Sequence, residues 1–159
     1  MIYERIQKGR FLKRPNRFIA KIEINGKEET VHVKNTGRCA ELLVPGAEVF
    51  VQKSESAGRK TGWDLIGVRK ADRLINMDSQ APNRAALEWM ENLSQKEPND
   101  NALRMLQPFD PSGSIWLPRK IRREVVHKDS RFDLAFMLEN QQTGALKPAF
   151  MEIKGVTLQ

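Results

Sequence analysis

The feature that most restricts the fold of this chain is an Asn-Gly pair at positions 25 and 26. Residues 18–24, before the pair, carry apolar side chains at every second position, and Val31 and Val33 continue the alternation after it. Alternation of this period is typical of a strand with one buried face. Asn-Gly suits the tight turn of a hairpin, because both residues tolerate a positive φ. The sequence therefore predicts a β-hairpin at the start of the chain.

Turn signals of this kind continue to about residue 75. Pro45-Gly46 and Gly58–Gly62 each mark a turn before a further apolar run. About five short strands in so few residues are typical of a small barrel, and an OB-like fold is the expected type for residues 1–77. Such barrels bind single-stranded nucleic acid through basic and aromatic side chains on one face. Phe18 and Trp63 are the aromatic candidates, each with core packing as its alternative.

Residues 78–159 change in character and are expected to form a second, mixed α/β domain, which makes the whole an α+β protein. Residues 85–93 have apolar side chains at helical spacing, and a second short helix is expected over residues 102–106. Strands follow, the clearest at residues 132–138 and 149–154. The polar segment between these two strands predicts a loop, so the strands are expected to pair as a hairpin.

The charge of the chain, formally +7 at pH 7, is concentrated in two basic clusters. Residues 1–21 hold seven bases against one acid, and residues 115–131 hold six against two, whereas residues 76–110 have an excess of acids. This distribution favours a polyanionic partner such as DNA, with a generally basic protein as the alternative. The candidate DNA-binding residues in the clusters are Arg14, Arg17, Arg123 and Arg131.

A polar connector with one glycine follows the first hairpin at residues 34–38. A turn of this kind, between a strand and a short helical segment, can present backbone N–H groups and an arginine to an anion. It lacks the ending of a phosphate-binding loop, so a plain turn is the alternative. Lys34, Asn35 and Arg38 join the candidate DNA-binding residues.

Three charged residues in the last third of the chain form a candidate catalytic site. Pairing of the last two strands would bring Asp133 towards Glu152, and Glu152 and Lys154 would share a face, since residues two apart on a strand point the same way. Two carboxylates and a backbone carbonyl suit Mg²⁺ or Mn²⁺, which can activate water for hydrolysis of a phosphodiester. Lys154 would position that water or stabilise the transition state. The alternative is an exposed strand with a Glu–Lys surface pair.

Composition excludes several other classes of protein. The single cysteine, Cys39, rules out an internal disulfide framework, and two histidines argue against a Cys/His zinc site. No apolar run reaches the ~18 residues of a membrane span, and Met1–Arg5 is not typical of a secretory signal. A cytoplasmic protein without a membrane partner is therefore expected.

Several motifs in order identify a resemblance to the sugar fermentation stimulation protein (SfsA) family. The first is His32-Val-Lys-Asn-Thr-Gly-Arg38, which is similar to the family's His-x-x-Asn-Thr-Gly. It is followed by Arg123-Glu124, Ser130-Arg-Phe-Asp133 and Glu152-Ile-Lys-Gly-Val-Thr157, with Phe132 and Leu134 as conservative departures. The resemblance covers essentially the whole chain.

This resemblance implies an N-terminal OB-like domain and a second domain similar to PD-(D/E)xK nucleases. Asp133, Glu152 and Lys154 then fall on the nuclease motif, and Glu124 falls on its upstream acid. The resemblance also implies DNA binding without strong sequence preference and a link with the regulation of maltose metabolism.

Members of the family continue well beyond the Glu-x-Lys strand, so a truncated second domain is expected for a chain that ends at Gln159. The strand at residues 149–154 would then have an uncovered edge. Such an edge invites pairing with another chain, so a homodimer, aggregation or a loosely folded second half is expected, while the barrel stays folded.

Two principal functions follow from these observations. One is a sequence-nonspecific DNA-binding protein that regulates sugar metabolism. The other is a Mg²⁺-dependent nuclease that cleaves DNA through Asp133, Glu152 and Lys154. A single-strand binding module carried by the barrel is a third reading, which predicts that residues 1–75 alone would bind.

Overall fold

A computed structural model describes residues 1–35, 37–54, 58, 61–96 and 114–155 of the chain. The chain divides into two compact units, Met1–Ala81 and Pro82–Lys154. Each unit has its own sheet and its own apolar core.

The first unit is built from six strands. They are β1 (Ile6–Asn16), β2 (Ile19–Ile24), β3 (Lys27–Val33), β4 (Glu48–Lys53), β5 (Trp63–Lys70) and β6 (Arg73–Asn76).

The first five strands close into a barrel. β1 pairs with β2 on one side and β4 on the other, β2 pairs with β3, and β4 pairs with β5, all antiparallel. A parallel pairing between β3 and β5 completes the ring, and β6 adds to β5 outside it. This five-stranded barrel is an OB-fold, as predicted from the sequence.

The predicted hairpin is confirmed as β2 and β3. Asn25 has a φ of 50° and Gly26 a φ of 76°, the left-handed conformation that this type of two-residue turn requires. Ile24 pairs with Lys27 directly across the turn. Alternate residues of both strands are buried in the barrel core, namely Ala20, Ile22, Ile24, Val31 and Val33.

The strand β1 was not predicted as a strand, because its sequence hardly alternates. Phe11 is the one buried residue along its length, while basic side chains make up much of the rest. Pairing with strands on both sides holds β1 extended despite this pattern.

The second unit contains one described helix and a three-stranded antiparallel sheet in the order β7-β8-β9. The predicted hairpin of the last two strands is confirmed as β8 and β9. The predicted short helix at residues 102–106 lies outside the described residues. The elements are α1 (Ala81–Ser94), β7 (Trp116–His127), β8 (Ser130–Asn140) and β9 (Leu146–Met151).

The helix packs on the sheet through Met90 and Leu93, which join a cluster that includes Leu117, Leu134 and Phe136. Within the described residues, no helix combines the length and the apolar character needed to cross a bilayer.

The strands β8 and β9 both begin earlier than expected, and two further boundaries that differ from the expectation bear on the site. The helix begins at Ala81 rather than at residue 85, with Pro82 in its first turn, where the missing N–H of proline costs nothing. The last strand ends at Met151 rather than at Lys154, so Glu152 and Lys154 lie just beyond it.

Candidate nucleic-acid cleft and acidic site

A cleft of about 460 Å³ on the first unit gathers much of the first basic cluster. Three of the predicted DNA-binding residues, Arg14, Arg17 and Arg38, line it. Lys13, which the sequence did not single out, lines it as well, with apolar side chains such as Phe11 beside it. Arg17, Arg38 and Lys13 are exposed, so their charges are accessible to an anion.

Arg14 differs from the other cations of the cleft, because its guanidinium is bound to the backbone. Nη1 donates to the carbonyl oxygens of Gly37 and Arg38, and Nη2 donates to those of Arg17 and Asn35, each at 2.7 Å. Its Nε is buried. The structure thus gives Arg14 a role inside the protein, and its expected phosphate contact stays a prediction.

Lys34 likewise points to partners within the barrel unit. Its Nζ lies 3.3 Å from Oδ2 of Asp64 and 3.4 Å from Oδ2 of Asp78, whose side chain has no exposed surface. His32 is the fourth member of this group and contacts Asp64, with Nδ1 3.2 Å from Oδ1 of the carboxylate. Lys34 therefore forms ion pairs with two carboxylates of its own unit, which is a structural role, and its expected DNA contact stays a prediction.

Asn35 shapes the connector that follows β3. Its Oδ1 accepts a hydrogen bond of 2.9 Å from the backbone N–H of Gly37, and its carbonyl accepts one from Arg14. The connector had been expected to offer N–H groups to an anion, but in this structure it offers carbonyl oxygens to Arg14, and the N–H of Gly37 is engaged. Of the three connector residues predicted to contact DNA, Arg38 is the one whose side chain is exposed.

The two aromatic candidates of the barrel have different environments. Trp63 packs against the barrel core, which confirms the core-packing alternative for this residue. Phe18 lies in the turn between β1 and β2, is 43% exposed, and has the guanidinium of Arg17 at 4.6 Å from its ring centroid. The core alternative is therefore wrong for Phe18, which belongs to the surface around the cleft.

The acidic site of the second unit is centred on Asp133. The pairing of Leu134 with Met151 in the hairpin of β8 and β9 places Asp133 opposite Glu152 when it is continued by one residue. The backbone N–H of Ile153 donates to Oδ2 of Asp133 at 2.7 Å. Thus the chain just beyond β9 stays close to the start of β8, and the two acids lie at the same end of the sheet.

A residue that the sequence did not reveal also contacts Asp133. The side-chain amide of Asn83, in the first turn of α1, donates to Oδ1 of Asp133 at 2.8 Å. Both oxygens of this half-buried carboxylate therefore accept a hydrogen bond from within the unit. Pro82 was the available signal, since proline favours the first turn of a helix and would have placed Asn83 there.

Lys154 lies against Glu152, with its Nζ hydrogen-bonded to Oε1 of that residue. This hydrogen bond, together with the negative charges of Glu152 and Asp133, raises the pKa of Lys154 above its usual value. Both side chains are exposed. Lys154 therefore keeps its positive charge at neutral pH and is accessible to an anion.

Glu124, expected from the family motif to complete the site, is engaged by Arg131. Nη2 of Arg131 lies 2.8 Å from Oε2 of Glu124, and both side chains are exposed. Arg123, beside Glu124 on β7, is exposed and pairs with Leu134 in the backbone register. In the described ranges of the chain, no group of three or more His, Cys, Asp or Glu residues is arranged to hold a metal ion. The pairing of β8 with β9 leaves two acids, Asp133 and Glu152, at the same end of the sheet.

Comparison with known proteins gives consistent results for both halves of the chain. Residues 12–77 match the family model of the SfsA N-terminal OB domain. The whole chain aligns with the sugar fermentation stimulation protein homolog of Desulfitobacterium hafniense (strain Y51), at 48% identity and over 58% of that protein. It also aligns in full with the homolog of Alkaliphilus oremlandii, at 46% identity and over 60% of that protein. The chain thus spans somewhat less than two thirds of the curated relatives it matches.

A solved structure, that of Pyrococcus furiosus SfsA in complex with Ca²⁺, has the same fold over most of this chain. The match has a TM-score of 0.64 at 23% identity and covers 96% of this chain and 55% of the other.

Proposed function

Over the residues it spans, the chain belongs to the sugar fermentation stimulation protein family, and we propose that it binds DNA without strong sequence preference. The observation that carries the proposal is the cleft of the barrel, where Lys13, Arg17 and Arg38 present exposed charges beside one another. Contacts from lysine and arginine to phosphate carry affinity but no sequence information, since the backbone of DNA is the same for every sequence. A cytoplasmic regulator of sugar metabolism, as the family resemblance implies, would act through this binding.

The test is fluorescence anisotropy with two unrelated duplexes over a range of salt concentrations. We expect similar affinities for both duplexes. The salt slope, which is the slope of the logarithm of the binding constant against the logarithm of the salt concentration, should decrease in magnitude by about 0.9 for each phosphate contact removed. An Arg17→Gln, Arg38→Gln double variant should therefore weaken binding to both duplexes and reduce the slope by about 1.8. Arg73→Gln, an exposed arginine of β6 that does not line the cleft, is the matched control. A strong preference for one duplex, or a slope unchanged in the double variant, would contradict the proposal.

A second candidate function is metal-dependent cleavage of DNA in the second unit, with a nuclease-like fold of the PD-(D/E)xK kind. The observation in its favour is that Asp133 and Glu152 each follow the pair of Leu134 with Met151 at the same end of the sheet, with Lys154 hydrogen-bonded to Glu152. Two carboxylates at one end of a sheet suit a hard cation such as Mg²⁺ or Mn²⁺, which takes oxygen ligands and keeps several waters. Pyrococcus furiosus SfsA, which has the same fold, was solved in complex with Ca²⁺, so a divalent cation binds to that protein.

In this candidate reaction, a cation held by the chain would supply an activated water and neutralise charge on the phosphate. Asp133 and Glu152 would hold it, and the hydrogen bonds from Asn83 and Ile153 would fix the plane of the Asp133 carboxylate. Lys154 stays protonated and would stabilise the charge that develops on the phosphate oxygens.

Incubation with plasmid DNA in Mg²⁺, Mn²⁺ or EDTA tests cleavage directly. Asp133→Asn and Glu152→Gln should abolish cleavage and any metal-induced rise in melting temperature, while DNA binding is retained. Lys154→Ala should keep metal and DNA but lose turnover, and Glu91→Gln, an exposed acid of α1, serves as the control. Equal Mn²⁺ binding by the wild type and the Asp133→Asn, Glu152→Gln double variant would exclude the site.

A further inference from the structure

We infer that Arg14 is a positioning residue of the DNA-binding cleft, which holds the backbone of the two arginines that contact phosphate. The inference rests on the proposed DNA-binding function. Two of the four carbonyl oxygens that accept hydrogen bonds from Arg14 belong to Arg17 and Arg38 themselves. These two residues carry the exposed guanidinium groups of the cleft.

The position of Arg14 in the barrel explains how one side chain can reach both. Arg14 lies near the end of β1, three residues before Arg17 in the turn to β2. Its other acceptors lie in the connector after β3, at residues 35, 37 and 38, more than twenty residues along the chain. A single guanidinium therefore ties the β1–β2 turn to the connector and fixes one side of the cleft against the other.

The chemistry of the contact requires an arginine. Four acceptors are divided between two nitrogens of a planar group, which is the geometry of a guanidinium fork. A lysine has the same charge but three N–H groups on one atom, so it cannot bind four carbonyl oxygens in this arrangement. The positive charge of Arg14 is also partly compensated by four carbonyl dipoles, which lowers its value as a phosphate contact.

Fixing the backbone of Arg17 and Arg38 favours binding through pre-organisation. A side chain that is placed before the ligand arrives loses less conformational freedom on binding than one on a loose loop. Arg17 is held a second time by its contact with the ring of Phe18. Loss of Arg14 should thus weaken DNA binding even though Arg14 does not contact DNA.

Charge-conserving substitution separates this role from a direct phosphate contact. If Arg14 is a positioning residue, the Arg14→Lys variant should bind DNA about fivefold or more weakly than the wild type, and the Arg14→Gln variant should be weakened by a similar factor. If Arg14 contacts phosphate instead, the Arg14→Lys variant should bind DNA nearly as tightly as the wild type, and only the Arg14→Gln variant should bind more weakly. The matched control is Arg73→Lys, the same exchange at an exposed arginine that does not line the cleft, which should stay within about twofold of the wild type. Wild-type affinity of Arg14→Lys would overturn the inference.

Hydrogen exchange distinguishes failure of this inference from failure of the proposed function. Arg14→Lys should accelerate exchange of the backbone amides at Gly37 and Phe18 whether or not the protein binds DNA. If the wild type binds no DNA, the proposed function fails, and the hydrogen-exchange result alone tests the positioning role of Arg14. Unchanged exchange rates in Arg14→Lys would refute that role.

A second variant covers the case in which Arg14→Lys does not fold. A Cβ at Gly37 would lie 3.0 Å from Oδ1 of Asn35, so Gly37→Val should push the Asn35 side chain aside and break its hydrogen bond with the N–H of Gly37 while leaving every charge in place. Gly37 is exposed, which favours folding of the variant. We expect weaker DNA binding at unchanged net charge, and wild-type affinity in this variant would count against the inference.

Discussion

The backbone N–H of Ile153 donates a 2.7 Å hydrogen bond to the carboxylate of Asp133. This bond joins the segment just after β9 to the fourth residue of β8, beyond the last pair of the regular ladder between them. It continues the pairing of the two strands through a side chain after the backbone ladder has ended. Because Ile153 lies between Glu152 and Lys154, this hydrogen bond also holds the backbone of the two charged residues on either side of Ile153 close to β8.

The first prediction concerns Asn83, which donates to the other oxygen of Asp133. Asn83→Ala should weaken Mn²⁺ binding by about tenfold, because the partners that orient a metal ligand matter nearly as much as the ligand itself. Isothermal titration calorimetry measures the change. Asn92→Ala, a change of the same kind on α1, should leave the affinity unaltered, and Mn²⁺ affinity insensitive to Asn83 would refute the expectation.

The second prediction follows from the raised pKa of Lys154. Glu152→Gln should return that pKa towards the ordinary value, since the largest cause of the shift is the hydrogen bond to Glu152. Because the folded-state pKa is raised, the stabilisation is complete below the unfolded pKa and is lost as the pH rises through the folded value. An NMR titration of the lysine side chain between neutral and alkaline pH measures the shift. Glu124→Gln is the control, and a shift of equal size in both variants would contradict the assignment.

The third prediction concerns Lys34, whose ammonium lies between Asp64 and Asp78. Lys34→Met should lower the free energy of unfolding by roughly 3 kcal/mol, because it leaves two largely buried carboxylates without their cation. Urea unfolding at an unchanged m-value measures it. Lys13→Met, at an exposed position, should cost less than about 0.5 kcal/mol. If Lys34 were instead a DNA contact, its loss would reduce the salt slope of DNA binding and leave stability intact.

The fourth prediction tests the backbone of the first hairpin. Gly26→Ala should destabilise the barrel by about 1 kcal/mol, because an L-residue is strained at the φ of 76° that the turn requires. Gly62→Ala is the matched control, since a Cβ at either glycine meets no atom within 4 Å and Gly62 has no positive φ. Equal thermal unfolding curves for the two variants would show that the turn tolerates the substitution.

The barrel could be predicted from the sequence because its signals are local. The turn at Asn25 and Gly26 and the alternation on either side are read within sixteen residues, and the structure has the hairpin there. The strand β1 escaped this reading, since its neighbours β2 and β4, and not its own pattern, hold it extended.

The roles of the charged residues could be predicted only in part. Asp133 and Glu152 lie at the same end of the sheet, as the spacing indicates, because each is the next residue beyond the pair of Leu134 with Met151. Lys34 and Arg14 look like surface cations in the sequence, yet both partners of Lys34 and three of the four acceptors of Arg14 lie more than twenty residues away along the chain. A contact of that range depends on how the barrel closes, and nothing near either residue in the sequence signals it.

The parallel pairing that closes the barrel has a consequence for how the chain folds. It joins Val31, His32 and Val33 to residues 63–65, whereas β1, β2 and β3 are neighbours in both sequence and space. A meander of those three strands can therefore form early during synthesis, and closure has to wait until β5 has left the ribosome, because distant contacts form later than local ones. Until then the edge of β3 is open to other nascent chains. The first three residues of β3 are Lys27, Glu28 and Glu29. Their charges discourage pairing with other chains before β5 is added.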